Sequence, residues 1–270
     1  MLDKFEDTFE VDTDFIRTYI DNEIGIVDLK DNVFEVAVDV PNKEALFRIL
    51  RAANNSNCIK ALLILSNDSA LGEVKNYEFW KRIIELRDQR KESGSYNVGD
   101  PNTETLKRIN ALSQYISLMC RSEKLVISTV RGSVVGSFLG TILTSDFRIA
   151  SENAVFSFPH IKYNFPPLGG LGYFLQKFVG SKKAREILLY GNPISALEAK
   201  DMGLIDYICP TDNFIEECLK ITHSLKDTSV RYIRITKHLL NYDVKDIEKY
   251  CEIESQLFNV AQIKLPTEIL

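Results

Sequence analysis

The sequence predicts an α/β domain that ends in a helical extension. Two short apolar runs, "IKALLILS" (59–66) and "KLVISTVRG" (124–132), have the composition of strands buried on both faces. Stretches with apolar residues at helical spacing lie between and after them. From Phe214 to the end the pattern is helical throughout.

Residues 1–20 are polar and read as a peripheral extension. "EIGIVDLK" (23–30) and "VFEVAVDV" (33–40) read as two strands of a hairpin, with "DN" between them as the turn. "PNKEALFRILRAANN" (41–55) opens on proline and spaces Ala45, Leu46, Ile49, Leu50 and Ala53 as one helix face. "LGEVKNYEFWKRIIELRDQR" (71–90) is loop and then helix. "KESGSYNVGDPN" (91–102) is loop-like and long enough to be a flap; whether residues 88–101 order over a substrate stays open. "TETLKRINALSQYISLMCRS" (103–122) is an amphipathic helix. "VRGSVVGSFLGTILTSD" (130–146) is a strand end, a small-residue turn and a helix start.

"DFRIASENAVFSFP" (146–159) is strand-like with a turn at "SEN", and Gly and Pro dominate "NFPPLGGLG" (164–172). "YFLQKFVGSKKAREILLYG" (173–191) and "SALEAKDMG" (195–203) are helices closed by glycine. "LIDYICP" (204–210) is a short strand. The one boundary falls near Pro210, between a core with its N-terminal extension (1–210) and a helical region (211–270).

Composition narrows the function classes. The 270 residues carry a net charge of −5 with no basic block, which argues against a nucleic-acid binder. No apolar run of about 18 residues predicts a membrane span. The acidic start "MLDKFEDTFEVDTDF" has no apolar core of a signal peptide, so a cytoplasmic location is expected. Cys58, Cys120, Cys209, Cys218 and Cys251 form no CxxC pair and read as reduced, buried thiols. His160, His223 and His238 have no partner at ligand spacing, so no metal is expected.

Two segments share one construction. "LLILSNDSALGEVK" (62–75) and "LVISTVRGSVVGSFLG" (125–140) each run from a buried strand through a small-residue loop into a helix start. The first N–H groups of such helices lack intrahelical partners, and two of them facing one point would hold an oxyanion such as a thioester enolate. Ordinary strand–helix turns have the same pattern, and Gly132, Gly136 and Gly140, four apart, would also permit close helix packing.

From about Ile59 to Pro210 the chain resembles the crotonase (enoyl-CoA hydratase/isomerase) superfamily. "VRGSVVGSFLGTILTSDFRIASENAVFSFP" resembles the family's V-x-G-x-x-x-G-G-G-x-E-L-x-x-x-C-D-x-x-I-A-x-x-x-A-x-F-x-x-P. "VGSKKAREILLYGNPISALEAKDMGLIDYICP" resembles its second conserved block. The resemblance implies a spiral of ββα units and C-terminal helices used for trimer or hexamer formation. It also implies an acyl thioester substrate on CoA or a carrier protein, with no cofactor beyond CoA or phosphopantetheine as the carrier.

The resemblance places the backbone oxyanion donors at Gly72 and at Ser137, next to Gly136. "ALGEVK" matches the family's first loop only loosely, with Glu73, Val74 and Lys75 standing for D-L-K. Lys75 is then either a contact for the nucleotide end of CoA or a solvated lysine. Asp146 reads as structural, and Tyr163, Phe165, Tyr173 and Phe174 as walls of an acyl pocket. Hydratases of the family use two glutamates, and this sequence has Gly140 and His160 in those places. His160 is either an acid–base group or a packed histidine.

"IKYNFPPLGGLGYF" resembles the crotonase-like decarboxylases of polyketide β-branching pathways, which also lack both glutamates. By that likeness His238 falls on their C-terminal acid, with a surface helix position as the alternative; Arg87, then Lys81, is the nearest cation to their lysine. The expected activity is decarboxylation or double-bond isomerisation of an unsaturated acyl thioester. Hydration or thioester hydrolysis through His160, and a non-catalytic thioester-binding or assembly protein, are the alternatives.

Overall fold

A computed structural model describes residues 9–68, 70–92, 103–240 and 243–260. The loop 93–102, with its expected flap, lies outside the described residues. Seven strands form the main sheet: β1 (Val11–Asp12), β2 (Ile16–Asp21), β3 (Ile24–Leu29), β4 (Ala61–Ser66), β5 (Leu125–Val130), β7 (Phe147–Ser151) and β10 (Tyr207–Cys209), in that spatial order. The first three pair antiparallel, and from β3 to β10 the pairing is parallel. A small second sheet joins β6 (Ser133–Val135), β8 (Val155–Ser157) and β9 (Ile194–Ser195). This is the α/β architecture that the sequence predicts.

Both faces of the sheet are covered, which explains the unbroken apolar runs. From β4, Leu62 and Ile64 pack with Leu46, Phe47, Ile49 and Leu50 of helix α2 (Val40–Asn55). The alternate residues Ala61, Leu63 and Leu65 pack with Phe214 and Cys218 of α8 (Phe214–Lys226) and with Ile233 of α9 (Val230–Leu240). Side chains beyond Pro210 thus share a core with the sheet. Asp146 fastens α9 from the far side: its Oδ2 accepts from Val126 N–H and from Lys237 Nζ, both at 2.7 Å.

The N-terminal region differs from expectation in two ways. "VFEVAVDV" is not a strand. Val33–Val36 is a short helix, α1, with Val33, Phe34 and Val36 buried. Asp39 then caps α2 by accepting from Asn42 N–H at 3.0 Å, with Pro41 in the first turn, so the chain is already helical where a strand is expected. The hairpin is one strand earlier, between β2 and β3. Its turn residues Asn22 and Glu23 have φ of 45° and 68°, the left-handed pair that suits a two-residue hairpin. Residues 9–20 are accordingly not peripheral: Phe9, Ile16 and Thr18 are buried.

The remaining helices are α3 (Glu73–Glu92), α4 (Thr103–Cys120), α5 (Gly136–Ile142), α6 (Leu171–Tyr190), α7 (Ala196–Asp201) and α10 (Val244–Val260). The stretch expected as one helix at 173–191 breaks at Gly180, whose φ of 74° and ψ of 161° no helix contains. Among the described residues no helix is long and apolar enough to cross a membrane.

Candidate active site

The two strand–loop–helix segments meet edge to edge. Val135 N–H donates to Leu71 O at 2.9 Å, so the next peptides, those of Gly72 and Gly136, are neighbours. A Cβ at Gly72 would sit 3.2 Å from that of Ser133, and one at Gly132, where φ is +67°, would sit 2.7 Å from Asp68 O. Glycine at both positions lets the loops close on each other. Gly72 precedes α3, and Gly136 and Ser137 open α5, so their N–H groups have no intrahelical acceptor. The structure therefore brings Gly72, Gly136 and Ser137 together.

Gly140 is filled space rather than a missing side chain. A Cβ there would lie 2.1 Å from Gly169 O and 2.8 Å from Leu171 N. The turn at Gly169 and Gly170, with φ of +73° and +69°, rests on the first turns of α5, and a Cβ on Gly169 would reach Ser137 O at 2.1 Å. Glu254 of α10 holds this turn: Gly169 N–H donates to its Oε1 at 2.8 Å and Gly170 N–H to its Oε2 at 3.0 Å. Burial pushes the Glu254 carboxyl up to about 7 against the pull of these two bonds. Glu254 has no counterpart among the residues singled out from sequence, because only the fold joins it to the glycine pair.

His160 is buried, and its Nε2 donates to Leu188 O at 3.0 Å, which fixes the tautomer with the proton on Nε2. Desolvation holds its pKa below the usual histidine range, partly offset by that bond. It lines a cleft of about 630 Å³ with Ile161, Asn164, Phe165 and Arg185 rather than either loop. Of the alternatives open in the sequence, the packed histidine matches this placement.

His238 is exposed on α9 and lines a different cavity with Arg121, Glu123, Arg234 and Lys245. Within one chain the structure does not bring it to the loops. Arg87 lies on α3, and its side chain is outside the described residues. Lys81 is exposed and pairs with Glu85. Lys75, in the first turn of α3, pairs with Glu78 at 3.2 Å.

The aromatic candidates divide. Tyr163 and Phe165 lie 5.7 Å apart, and Phe165 continues to Trp80 of α3 at 5.3 Å and Phe258 of α10 at 5.5 Å. Phe174 instead packs on the far side of Gly170 and lines, with Tyr173, Lys177 and Lys237, a separate cavity of about 540 Å³. Both Tyr173 and Phe174 belong to the first turn of α6.

The sequence signal missed most plainly is Arg108 of α4. It is buried, with Nη2 donating to Ser137 Oγ at 3.1 Å and toward Asn76 Oδ1 at 3.3 Å. Its spacing from buried Thr105 and Leu112 puts it on the apolar face of a helix, where a charged residue is a signal. Desolvation lowers its pKa to about 9. Burial raises the Tyr163 phenol to about 12, with Asn76 and the Arg108 charge pulling the other way. Among the described residues no group of His, Cys, Asp and Glu is arranged to hold a metal ion.

The enoyl-CoA hydratase/isomerase family model matches residues 94–265. The chain belongs to this family. It is 31% identical over 240 residues to a probable enoyl-CoA hydratase of Mycobacterium leprae, covering 83% of this chain and 81% of that protein. The crystal structure of an enoyl-CoA hydratase from Bacillus halodurans superposes with a TM-score of 0.75 at 22% identity, over 90% of this chain and 93% of that one. A methylmalonyl-CoA decarboxylase in complex with 2-nitronate-propionyl-CoA superposes with a TM-score of 0.66 at 18% identity, over 91% and 90%. At such identities the solved structures show that the family fold is shared.

Proposed function

We propose that this family member acts on an acyl thioester of CoA or a carrier protein by stabilising its enolate, through decarboxylation or double-bond isomerisation rather than water addition by paired carboxylates. The observation that carries this is the contact at Gly140. The Gly169 carbonyl fills the space a side chain at position 140 would need, the position the resemblance gives to a glutamate, while the two loops remain joined.

In decarboxylation the bond between carbon and carboxylate breaks and carbon dioxide leaves. The electron pair moves into the thioester, and the negative oxygen is held by the N–H groups of Gly72 and of Gly136 or Ser137. A proton then returns to carbon from the Tyr163 phenol, which burial keeps protonated. No second carboxylate is required. Lys75, one turn into α3, is suited to the nucleotide end of CoA. Assembly into a homotrimer or hexamer is part of the same proposal; the exposed Tyr232, Leu239 and Leu240 of α9 support it.

Mass spectrometry of a glutaconyl thioester, on CoA and on a carrier protein, tests the activity. Loss of carbon dioxide, or an unchanged mass with a shifted double bond in the NMR spectrum, is expected. Gain of water would instead support the hydratase activity that the relatives' names suggest. An unchanged substrate would support a silent binding protein.

A further inference from the structure

Three buried hydrogen-bond donors in one neighbourhood lack a well-formed hydrogen bond among the described residues. They are Arg108 Nη1 and Trp80 Nε1, together with Asn76 Nδ2, which has only the Tyr163 phenol nearby. Asn76 and Trp80 stand on adjacent turns of α3, and Arg108 faces them from α4. The Arg108 guanidinium lies 5.0 Å from the Trp80 ring centroid, 4.8 Å from that of Phe79 and 5.0 Å from that of Phe34. All three donor residues are at most 2% exposed.

A buried charge is ordinarily kept only with a partner, because leaving water is costly. Among the described residues Arg108 forms no ion pair. Glu35 acts on its charge from a distance but is itself bonded to Arg82. Rings satisfy the guanidinium faces, and Ser137 and Asn76 satisfy Nη2. What is left over is donors only, with no unpaired acceptor from these three residues. A guanidinium with a free N–H beside further donors suits an anion with several acceptor oxygens.

The position says which anion. Arg108 bonds the side chain of Ser137, whose backbone N–H is an oxyanion donor of the proposed site. Arg108 is thereby one side chain away from the place proposed for the thioester oxygen.

We propose that Arg108, with Asn76 and Trp80, recognises a carboxylate on the acyl group, so that the substrates are monothioesters of dicarboxylic acids. This rests on the thioester chemistry proposed above and names its substrate class. Arg108 is a specificity-determining residue in this role.

The test compares malonyl-, succinyl- and glutaryl-CoA with butyryl-, pentanoyl- and hexanoyl-CoA by isothermal titration. Wild-type protein is expected to bind the best acidic thioester roughly tenfold to a hundredfold more tightly than its neutral counterpart, the range of hydrogen bonds to charged groups. Arg108→Met is expected to lose the preference while still binding the neutral thioesters. The chain has a single tryptophan, so Trp80 emission offers a second readout that needs no variant: it should respond to the acidic thioesters and not to the neutral ones. Equal binding of both sets by wild-type protein overturns the carboxylate assignment and leaves the thioester chemistry standing. So does a preference that survives in Arg108→Met. Failure to bind any thioester overturns both.

Discussion

Gly140→Ala is expected to lower the melting temperature by roughly 4–8 °C. The new methyl group would sit 2.1 Å from Gly169 O and 2.8 Å from Leu171 N, so it meets backbone on both sides and not a side chain that can swing away. Overpacking of this sort costs about 1–3 kcal/mol or more, and the alanine gains back only about 1 kcal/mol of helix propensity. For a domain of this size each kcal/mol moves the midpoint by about 2–4 °C. Gly140→Glu, which puts a carboxylate where the sequence resemblance expects one, is expected to be worse and to create no hydratase. Thermal unfolding followed by circular dichroism gives the answer. An unchanged midpoint for Gly140→Ala would mean that the Gly169 turn can retreat, and that the place is open to a side chain after all.

Glu254 should give the second large effect, and one that depends on pH. Its carboxyl is raised from 4.5 to about 7 by burial, so the native state holds a proton that the unfolded chain gives up sooner. The stabilisation is complete below about pH 4.5 and is lost as the pH rises through about 7. A shift of this size corresponds to on the order of 3 kcal/mol across the window. Glu254→Gln is expected to remove this fall in stability between about pH 5 and about pH 8. Glu254→Ala is expected to destabilise at every pH by about 2–5 kcal/mol, because the Gly169 and Gly170 N–H groups are left buried without an acceptor. Urea unfolding at the two pH values measures both. If Glu254→Gln keeps the wild-type slope, the titration belongs to another group.

These two positions show where sequence was legible and where it was not. The buried strands β4 and β5 were plain because both faces are covered, so nothing interrupts the apolar run. The loop glycines at 72, 132 and 136 were plain because close backbone approach leaves a mark in the sequence itself. β2 was not, since only Ile16 and Thr18 of its outer half are buried and acidic residues surround them. "VFEVAVDV" fits a strand or a helix by period, and Asp39 with Pro41 decides for the helix.

Gly140 reads in sequence as a lost carboxylate. Its meaning lies in Gly169, and the position of Gly169 lies in Glu254 near the far end of the chain. That relay from α10 through a glycine turn to the opening of α5 exists only in three dimensions. Arg108 was hidden for a different reason. A charged residue in an amphipathic helix is ordinarily assigned to solvent, and only its phase with Thr105 and Leu112 argues otherwise.

The most direct test of the enolate account is the affinity of the wild-type protein for 2-nitronate-propionyl-CoA, the compound bound in the related decarboxylase, measured against propionyl-CoA. The nitronate carries a delocalised negative charge next to the thioester and so imitates the enolate, whereas propionyl-CoA is neutral there. A site built to hold that charge should bind the nitronate about a hundredfold or more tightly. Equal affinity would mean that the joined loops of Gly72 and Ser137 hold no enolate, and would contradict the proposed chemistry.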